Sequence, residues 1–548
     1  MTPPPLFKHQ QELLDKTWEL PAWAVFFEQG TGKTAPTIHT AARLFNADRL
    51  DAAIVVAPNG VHRNWIIDEI PKHCPIAWKG IDWHSSRGKG QDKALAQLLE
   101  TPRRSALMWF AITYEALLTP RGRAAVLAFK EKYPRFMAIC DEGSRIKNAE
   151  ALRTKKCVAL RDLAAYARIL NGTPIGNSAL DAYSQLRFLD KMFWIRHGIA
   201  SWTAFRSRFA VLRKIVVGGE DDREADEPAQ TRARYDDPHD ATPDGVDLYE
   251  QLDLTGILEE EKHQPKVDVS SAQPKKGQPK TIGRTIEVVV GFRELDKLKE
   301  MIAPISTRIT KEDAGLDLPP KLYSRIVFDL LPEQRRVYDT LRKEFMVELD
   351  NGALVTAPLA LTRIMRLQQI ACGYLPNPDD PDHPKLFFNA DGNNPRLQQL
   401  LELLEDTPHQ AIIWARFTQD IDAICRALGP PKCARYDGEV SETEKARSID
   451  RFRAGKAKFM IAKTASMGVG LTLNEAKSVF YYSNTFSYYE RTQSEDRCHR
   501  VGQTNPVTYY DLEAYKTVDG RILKALKECA DVASKVTGDS LRTWFEES

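Results

Sequence analysis

Glu28-Gln29-Gly30-Thr31-Gly32-Lys33-Thr34 follows an unbroken apolar run, Trp23-Ala24-Val25-Phe26-Phe27, and precedes residues at helical spacing, Ile38, Ala41, Ala42 and Leu44. A strand, a glycine loop and a helix in that order form an anion cradle. The glycines let backbone N–H groups turn inward, and the helix N-terminus adds its partial positive charge. In such a cradle Gly30, Thr31 and Gly32 wrap the phosphates of a nucleotide, Lys33 reaches the β- and γ-phosphates, and the Thr34 hydroxyl binds Mg²⁺. The full phosphate-loop pattern carries a glycine five residues before Gly32, where this chain has Phe27. Only the shorter G-x-G-K-T core is present.

At 548 residues the chain exceeds what one hydrophobic core supports, which predicts two large domains with insertions. Hydrophobic residues at 43% and charged residues at 28% are those of an ordinary globular protein. No apolar run approaches the roughly 20 residues that span a bilayer, so no membrane partner is expected. The opening Met1-Thr2-Pro3-Pro4-Pro5 lacks a basic-then-apolar leader pattern. The eight cysteines are scattered without a C-x-x-C pair, which argues against a zinc module or a disulfide framework and for a reducing compartment. Net charge is only +2, yet 17 acids and 5 bases fall between Glu220 and Asp268. That segment carries −12, leaving +14 on the rest of the chain, a footprint suited to a polyanion.

Leu6-Phe7-Lys8-His9-Gln10 opens an amphipathic helix, Gln11 to Trp18. The Gln10 amide, able both to donate and to accept, suits an adenine edge; otherwise it is a solvated helix-start side chain. Further apolar runs read as buried parallel strands: Ala52–Pro58, Ala106–Ile112 as a third strand, Phe136–Cys140 as a fourth and Ala167–Leu170 as a fifth. Each ends in polar or glycine residues and then a helical stretch, the alternation of a doubly wound sheet whose ligands bind at the carboxyl ends of the strands. Asp141-Glu142 leaves the fourth strand, where one acid can hold Mg²⁺ and the other polarise an attacking water.

From here the chain resembles a known family. Asp141-Glu142-Gly143-Ser144-Arg145-Ile146-Lys147-Asn148 resembles motif II of the Swi/Snf-type (Snf-two-like) ATPases of helicase superfamily two, with Gly143-Ser144 in place of Ala-His. Leu170–Asn177 is similar to their motif III, with Gly176 in place of Gln, and the short Gly30–Thr34 loop resembles their motif I. Trp202–Phe209 matches the W-x-x-F-x-x-x-F helix, Leu318-Pro319-Pro320-Lys321 the L-P-P-K passage, and Thr464–Leu473 motif V. Gln493-Ser494-Glu495-Asp496-Arg497-Cys498-His499-Arg500-Val501-Gly502-Gln503 resembles motif VI at nearly every position. Arg497 and Arg500, three apart on one helix face, can bring planar guanidinium groups against a transferring phosphoryl group. A surface pair bridging Glu495 or Asp496 is the plainer alternative.

The resemblance implies an α/β fold of two RecA-like doubly wound parallel-sheet cores in tandem with helical insertions. The expected domains are residues 1–212 (ATP-binding core), 213–283 (acidic, flexible insertion), 284–394 (helical family insertion and linker), 395–515 (C-terminal helicase core) and 516–548 (bracing helices). It implies ATP and Mg²⁺ as cofactors, with Lys33, Asp141, Glu142, Arg497 and Arg500 catalytic. Gln10, Gly30, Thr31, Gly32, Lys33, Thr34 and Gly470 would bind nucleotide, with Thr34 and Asp141 on the metal. Gly172, Thr173 and Gln493 would couple hydrolysis to movement, and Asn59, Arg63, Tyr114, Arg416 and Thr464 would contact DNA phosphates. The implied activity is a DNA-dependent ATPase translocating on double-stranded or forked DNA, with remodelling or annealing as its outcome. A strand-separating helicase, or an ATP-binding subunit recruiting a protein partner through its acidic insertion, are the alternatives. The compact single-motor layout suits a monomer in a bacterial or phage-infected cytoplasm, with a nuclear setting also open.

Overall fold

The computed structural model describes residues 3–84, 88–217, 284–350, 357–377, 380, 384–388, 392, 394–464 and 472–537. Residues 218–283, the bulk of the expected acidic insertion, and Gly470 lie outside the described residues.

The continuous apolar runs become strands covered on both faces, as their lack of alternation requires. In the first half these are β1 (Ala22–Phe27), β2 (Ala52–Ala57), β3 (Trp78–Trp83), β4 (Leu107–Thr113), β5 (Phe136–Asp141) and β6 (Tyr166–Leu170). β7 (Ala210–Val217) and β8 (Arg284–Phe292) pair antiparallel with each other as a separate ribbon. β9 (Ser306–Ile309) then completes a seven-stranded sheet in the order β3-β4-β2-β5-β6-β1-β9, parallel throughout. β1, β6 and β5 are neighbours, so their carboxyl ends set the phosphate loop, Asn171–Asn177 and Glu142 side by side.

The second core holds β10 (Lys321–Phe328), β13 (Ala411–Trp414), β14 (Cys433–Tyr436), β15 (Phe459–Ala462), β16 (Ser478–Tyr481) and β17 (Val507–Ala514), with the two-stranded hairpin β11 (Tyr374–Leu375) and β12 (Lys385–Leu386) beside them. Its six strands run in the order β10-β17-β16-β13-β15-β14, again all parallel. Helices cover the sheets, giving the expected pair of doubly wound α/β cores.

Three expectations change. Trp78–Trp83 is a strand, so the strand read from Ala106 is the fourth rather than the third. Lys79, Gly80 and Asp82 break up its apolar run and hid it, because an edge strand need not be buried on both faces. Cys433–Tyr436 and Val507–Ala514 are likewise strands that the sequence reading passed over. Residues 284–394 are not solely a helical insertion and linker: β9 belongs to the first sheet and β10 to the second. The first core therefore extends past residue 212, and the second begins before 395. The helix Val518–Thr537 spans the cores as expected, with Cys529 Sγ reaching the Asn177 carbonyl at 3.6 Å.

Candidate active site

β1 delivers the loop with Gly30 at φ +88° and Gly32 at φ +78°, a region that only glycine enters cheaply. A Cβ on Gly32 would stand 2.2 Å from Gln10 Nε2. Gln10 Nε2 donates to the Gly32 carbonyl at 2.9 Å and Oε1 accepts from the Phe7 amide at 2.9 Å. The Gln10 amide is thus neither solvated nor turned outward: Nε2 closes on the loop while Oε1 caps the start of its own helix. His9 Nε2 lies 2.9 Å from the Thr31 carbonyl on the same side. Thr34 opens the helix Thr34–Asn46, so the loop runs straight into a helix N-terminus.

Asp141 ends β5 and is 4% exposed; Glu142 beside it is 1% exposed. Trp65 Nε1 donates to Asp141 Oδ2 at 2.8 Å and the Glu142 amide to Oδ1 at 3.0 Å, which fixes the carboxylate plane. Burial, then the adjacent Glu142 charge, pushes the Asp141 carboxyl up to about 6, with Lys33 opposing. Glu142 sits at φ +56°, ψ +59°, a left-handed strain that persists because its surroundings over-determine it. Gln29 Nε2 donates to its Oε1 at 2.9 Å, Lys33 Nζ lies 3.8 Å from the same oxygen, and Tyr489 of the second core donates to Oε2 at 3.3 Å. Gly143 has a packing reason to differ from the family alanine, since a Cβ there would meet Ile169 Cδ1 at 2.5 Å.

From the second core, Arg500 donates to Gln29 Oε1 at 3.1 Å and to Thr472 Oγ1 at 3.4 Å. Its Nε, buried, has no hydrogen-bond partner among the described residues. Arg497 is 2% exposed; burial and the Arg500 charge pull its guanidinium down to about 10, while Glu142 and Tyr489 oppose. The pair is not a surface pair bridging Glu495 or Asp496. Those acids face Lys321, 2.9 Å from Glu495, and Lys311, 2.7 Å from Asp496. The helix Tyr488–Glu495 that leads to both arginines is anchored by buried Arg491, which donates to Glu495 at 2.9 Å, Asn484 at 2.7 Å and Asp511 Oδ2 at 3.0 Å.

The expected coupling residues lie at this junction. A Cβ on Gly172 would meet Gln29 Cγ at 3.0 Å, so that stretch packs directly on the phosphate loop. Thr173 and Gln493 are both buried, and neither amide atom of Gln493 has a hydrogen-bond partner among the described residues. Asn177 Oδ1 accepts from the Tyr488 amide at 3.0 Å, a direct bond between cores.

Of the residues expected on DNA, Asn59 and Arg63 are exposed together around the turn after β2, and Gly60 supplies its φ of +84°. Arg416 is half-buried, its guanidinium over Phe486 at 5.4 Å and bonded to Gln368 Oε1 at 3.2 Å. Thr464 is half-buried against Glu490 at 3.5 Å. Tyr114 requires correction. It is 1% exposed and donates to the Asp141 carbonyl at 2.7 Å, so its ring props the acidic strand end from within and meets no phosphate.

These residues fit a magnesium nucleotide. The glycine cradle, the loop lysine and a helix N-terminus supply anion-binding groups, and the unpartnered Arg500 Nε faces the loop from the opposite core. Among the described residues no three His, Cys, Asp or Glu side chains converge as a metal site. A cation here would rest on Thr34, Asp141 and the phosphates themselves. Four participants escaped the sequence reading. Gln29 sits inside the loop motif at a position to which the motif gives no role, and Trp65 stands after β2 with no local sign of its partner. Tyr489 and Lys311 act across the cores, where spacing carries no signal.

The fold and this junction define a class: a tandem-core ATPase of the helicase type, with its site shared between the cores. Residues 25–224 match the SNF2-related domain, and residues 394–502 match the helicase conserved C-terminal domain. Together these spans cover more than half of the chain, which belongs to the Snf2-related family of helicase-like ATPases. It is 22% identical to Protein CHROMATIN REMODELING 4 of Arabidopsis thaliana over 95% of this chain and 21% of that protein. It is 23% identical to the human lymphoid-specific helicase over 91% of this chain and 58% of that protein. Thus it spans less than two thirds of the length of these curated relatives. A solved Sulfolobus solfataricus SWI2/SNF2 ATPase core in complex with dsDNA is 20% identical, covering 95% of this chain and 90% of that one at a TM-score of 0.36. Family membership implies ATP binding and hydrolysis.

Proposed function

We propose that this protein is a DNA-dependent ATPase that converts closure of its inter-core cleft into movement along duplex DNA. The observation that carries this reading is the convergence on Glu142: Gln29 and Lys33 from the first core, Tyr489 from the second, and Arg500 through Gln29. A carboxylate held by both cores is positioned only when the cores are together, so hydrolysis follows closure. Lys33 and the loop amides hold the phosphates, and Glu142 accepts the proton of the attacking water. Arg497 and Arg500 meet the charge that develops at the transferring phosphoryl group. Thr34 and Asp141 would hold Mg²⁺, which when bound neutralises charge between the phosphates.

Support for duplex DNA comes from the excess positive charge outside the Glu220–Asp268 segment and from the exposed Asn59 and Arg63 after β2. The chromatin-remodelling and helicase names of the relatives point the same way. Phosphate contacts without base readout make such binding salt-sensitive and largely independent of sequence. ATP turnover measured with and without duplex DNA tests the reading, with stimulation of tenfold or more expected and equal rates refuting it. Triplex displacement in place of forked-duplex unwinding is the expected output. Unwinding without displacement would make the protein a strand-separating helicase.

A further inference from the structure

The stretch between β9 and β10 passes over the motor's seam, and one side chain there touches both cores. Lys311 is 7% exposed. Its Nζ donates to Asp496 Oδ1 at 2.7 Å and to the His499 carbonyl at 2.7 Å, and stands 3.9 Å from Glu28 Oε1. Its backbone amide donates to Glu28 Oε2 at 3.0 Å, and the Glu28 amide donates to the Ile309 carbonyl at 2.8 Å. Glu28 is the first residue of the phosphate loop. Asp496 immediately precedes Arg497, and His499 immediately precedes Arg500.

An ammonium taken out of water costs several kcal/mol unless charges and hydrogen bonds replace its solvent. Burial lowers the Lys311 ammonium's affinity for its proton, and Asp496 and Glu28 oppose that from opposite cores. His499 completes the pocket as a neutral ring, pulled down to about 4 by burial and by Lys321 and Lys311. Its Nε2–H donates to the Pro319 carbonyl at 2.7 Å, which leaves Nδ1 as an acceptor 3.5 Å from Lys311 Nζ. The ammonium therefore grips both ends of the turn that presents the two arginines, from a backbone docked on the loop.

We infer that Lys311 is a positioning residue that sets the register of Arg497 and Arg500 over the phosphate loop. This rests on the ATPase reading above. A misplacement of about 1 Å at such a site costs on the order of 100-fold in turnover, so the lysine matters to rate without touching nucleotide. Lys321, 2.9 Å from Glu495 and 3.6 Å from Asp496, stands on β10 of the same core as both acids, so these ion pairs hold the turn within its own core.

The test compares wild type with Lys311→Met, Asp496→Asn and the double variant. ATP kcat and KM, binding of a fluorescent ATP analogue, thermal midpoint and amide exchange over residues 496–503 are measured on each. Lys311→Met should lower kcat about 10- to 100-fold, keep analogue affinity within about twofold, and lower the midpoint by leaving buried Asp496 with only the longer Lys321 pair at 3.6 Å. The double variant should regain the midpoint but not kcat, because it removes the under-paired charge without restoring the tether. If kcat returns with the midpoint, the lysine only neutralises Asp496 and the inference fails. Should wild type hydrolyse no ATP, the ATPase reading falls and exchange decides the positioning role. Faster exchange over residues 496–503 in both Lys311 variants sustains that role, and unchanged exchange overturns it.

Discussion

The two halves of the candidate site are held in place by different forces. On the first core the loop and the acidic strand end are fixed by backbone: positive-φ glycines, a left-handed Glu142 and a sheet in which β1, β6 and β5 adjoin. On the second core the arginines are fixed by buried charge. Arg491 lies among Glu495 and Asp511, Lys321 meets Glu495, and Lys311 meets Asp496. A phosphate cradle needs amides at set angles, which only local dihedrals provide. A pair of arginines that must arrive from another domain needs strong yet separable tethers, which buried ion pairs provide.

Glu142→Gln strikes the point where the halves meet. It should bind an ATP analogue normally while turnover falls about 1000-fold, since a positioned base contributes on the order of 100- to 10,000-fold; single-turnover hydrolysis checks this, and residual rates near wild type would move the base elsewhere. Arg491→Met attacks the charge-held half. Leaving Asp511 and Glu495 without their partner should cost about 3–5 kcal/mol and melt the second core first, read by proteolysis across a thermal ramp. Loss of both cores together would show that the first depends on the same tether.

Gly32→Ala attacks the backbone-held half. The added Cβ meets Gln10 Nε2 and needs a positive φ, so analogue affinity should drop about tenfold and the fold lose about 1–2 kcal/mol, less than Arg491→Met; an unchanged affinity would mean Gln10 swings clear. The smallest effect is expected at Asp420, buried in the second core with Oδ2 accepting from Ser483 at 2.8 Å. Burial pushes its carboxyl up to about 7, against about 4 in the unfolded chain. Its contribution is therefore intact below pH 4 and lost as pH rises through 7, where the folded protein must hold the charge. Asp420→Asn should flatten that decline and raise the midpoint by about 2–4 °C at pH 8, with no gain at pH 4.

The same contrast explains what the sequence made legible. Apolar runs declared most strands, and the motif strings placed Lys33, Asp141, Glu142, Arg497 and Arg500 at one junction, because those signals are local. Trp78–Trp83 was missed because an edge strand shows one apolar face. Tyr114 was misplaced because a motif match fixes a position along the chain, not the direction a ring takes, and this ring turns inward to Asp141. Gln29, Tyr489 and Lys311 gave no signal, since each acquires its partner only when distant segments meet.

One feature of the first sheet bears on how the protein is made. β1 is flanked by β6 on one side and by β9 on the other, with the Trp23 indole bonded to Thr307 Oγ1 at 3.0 Å. During synthesis β1 through β6 emerge long before Ser306–Ile309 leave the ribosome. Throughout that interval β1 offers an uncovered row of N–H and C=O groups, the kind of edge that recruits other chains. The phosphate loop hangs from that same edge. Translation must thus carry the chain well beyond its first half before the nucleotide cradle gains its last supporting strand, and a fragment ending at residue 212 would keep the sticky edge for good.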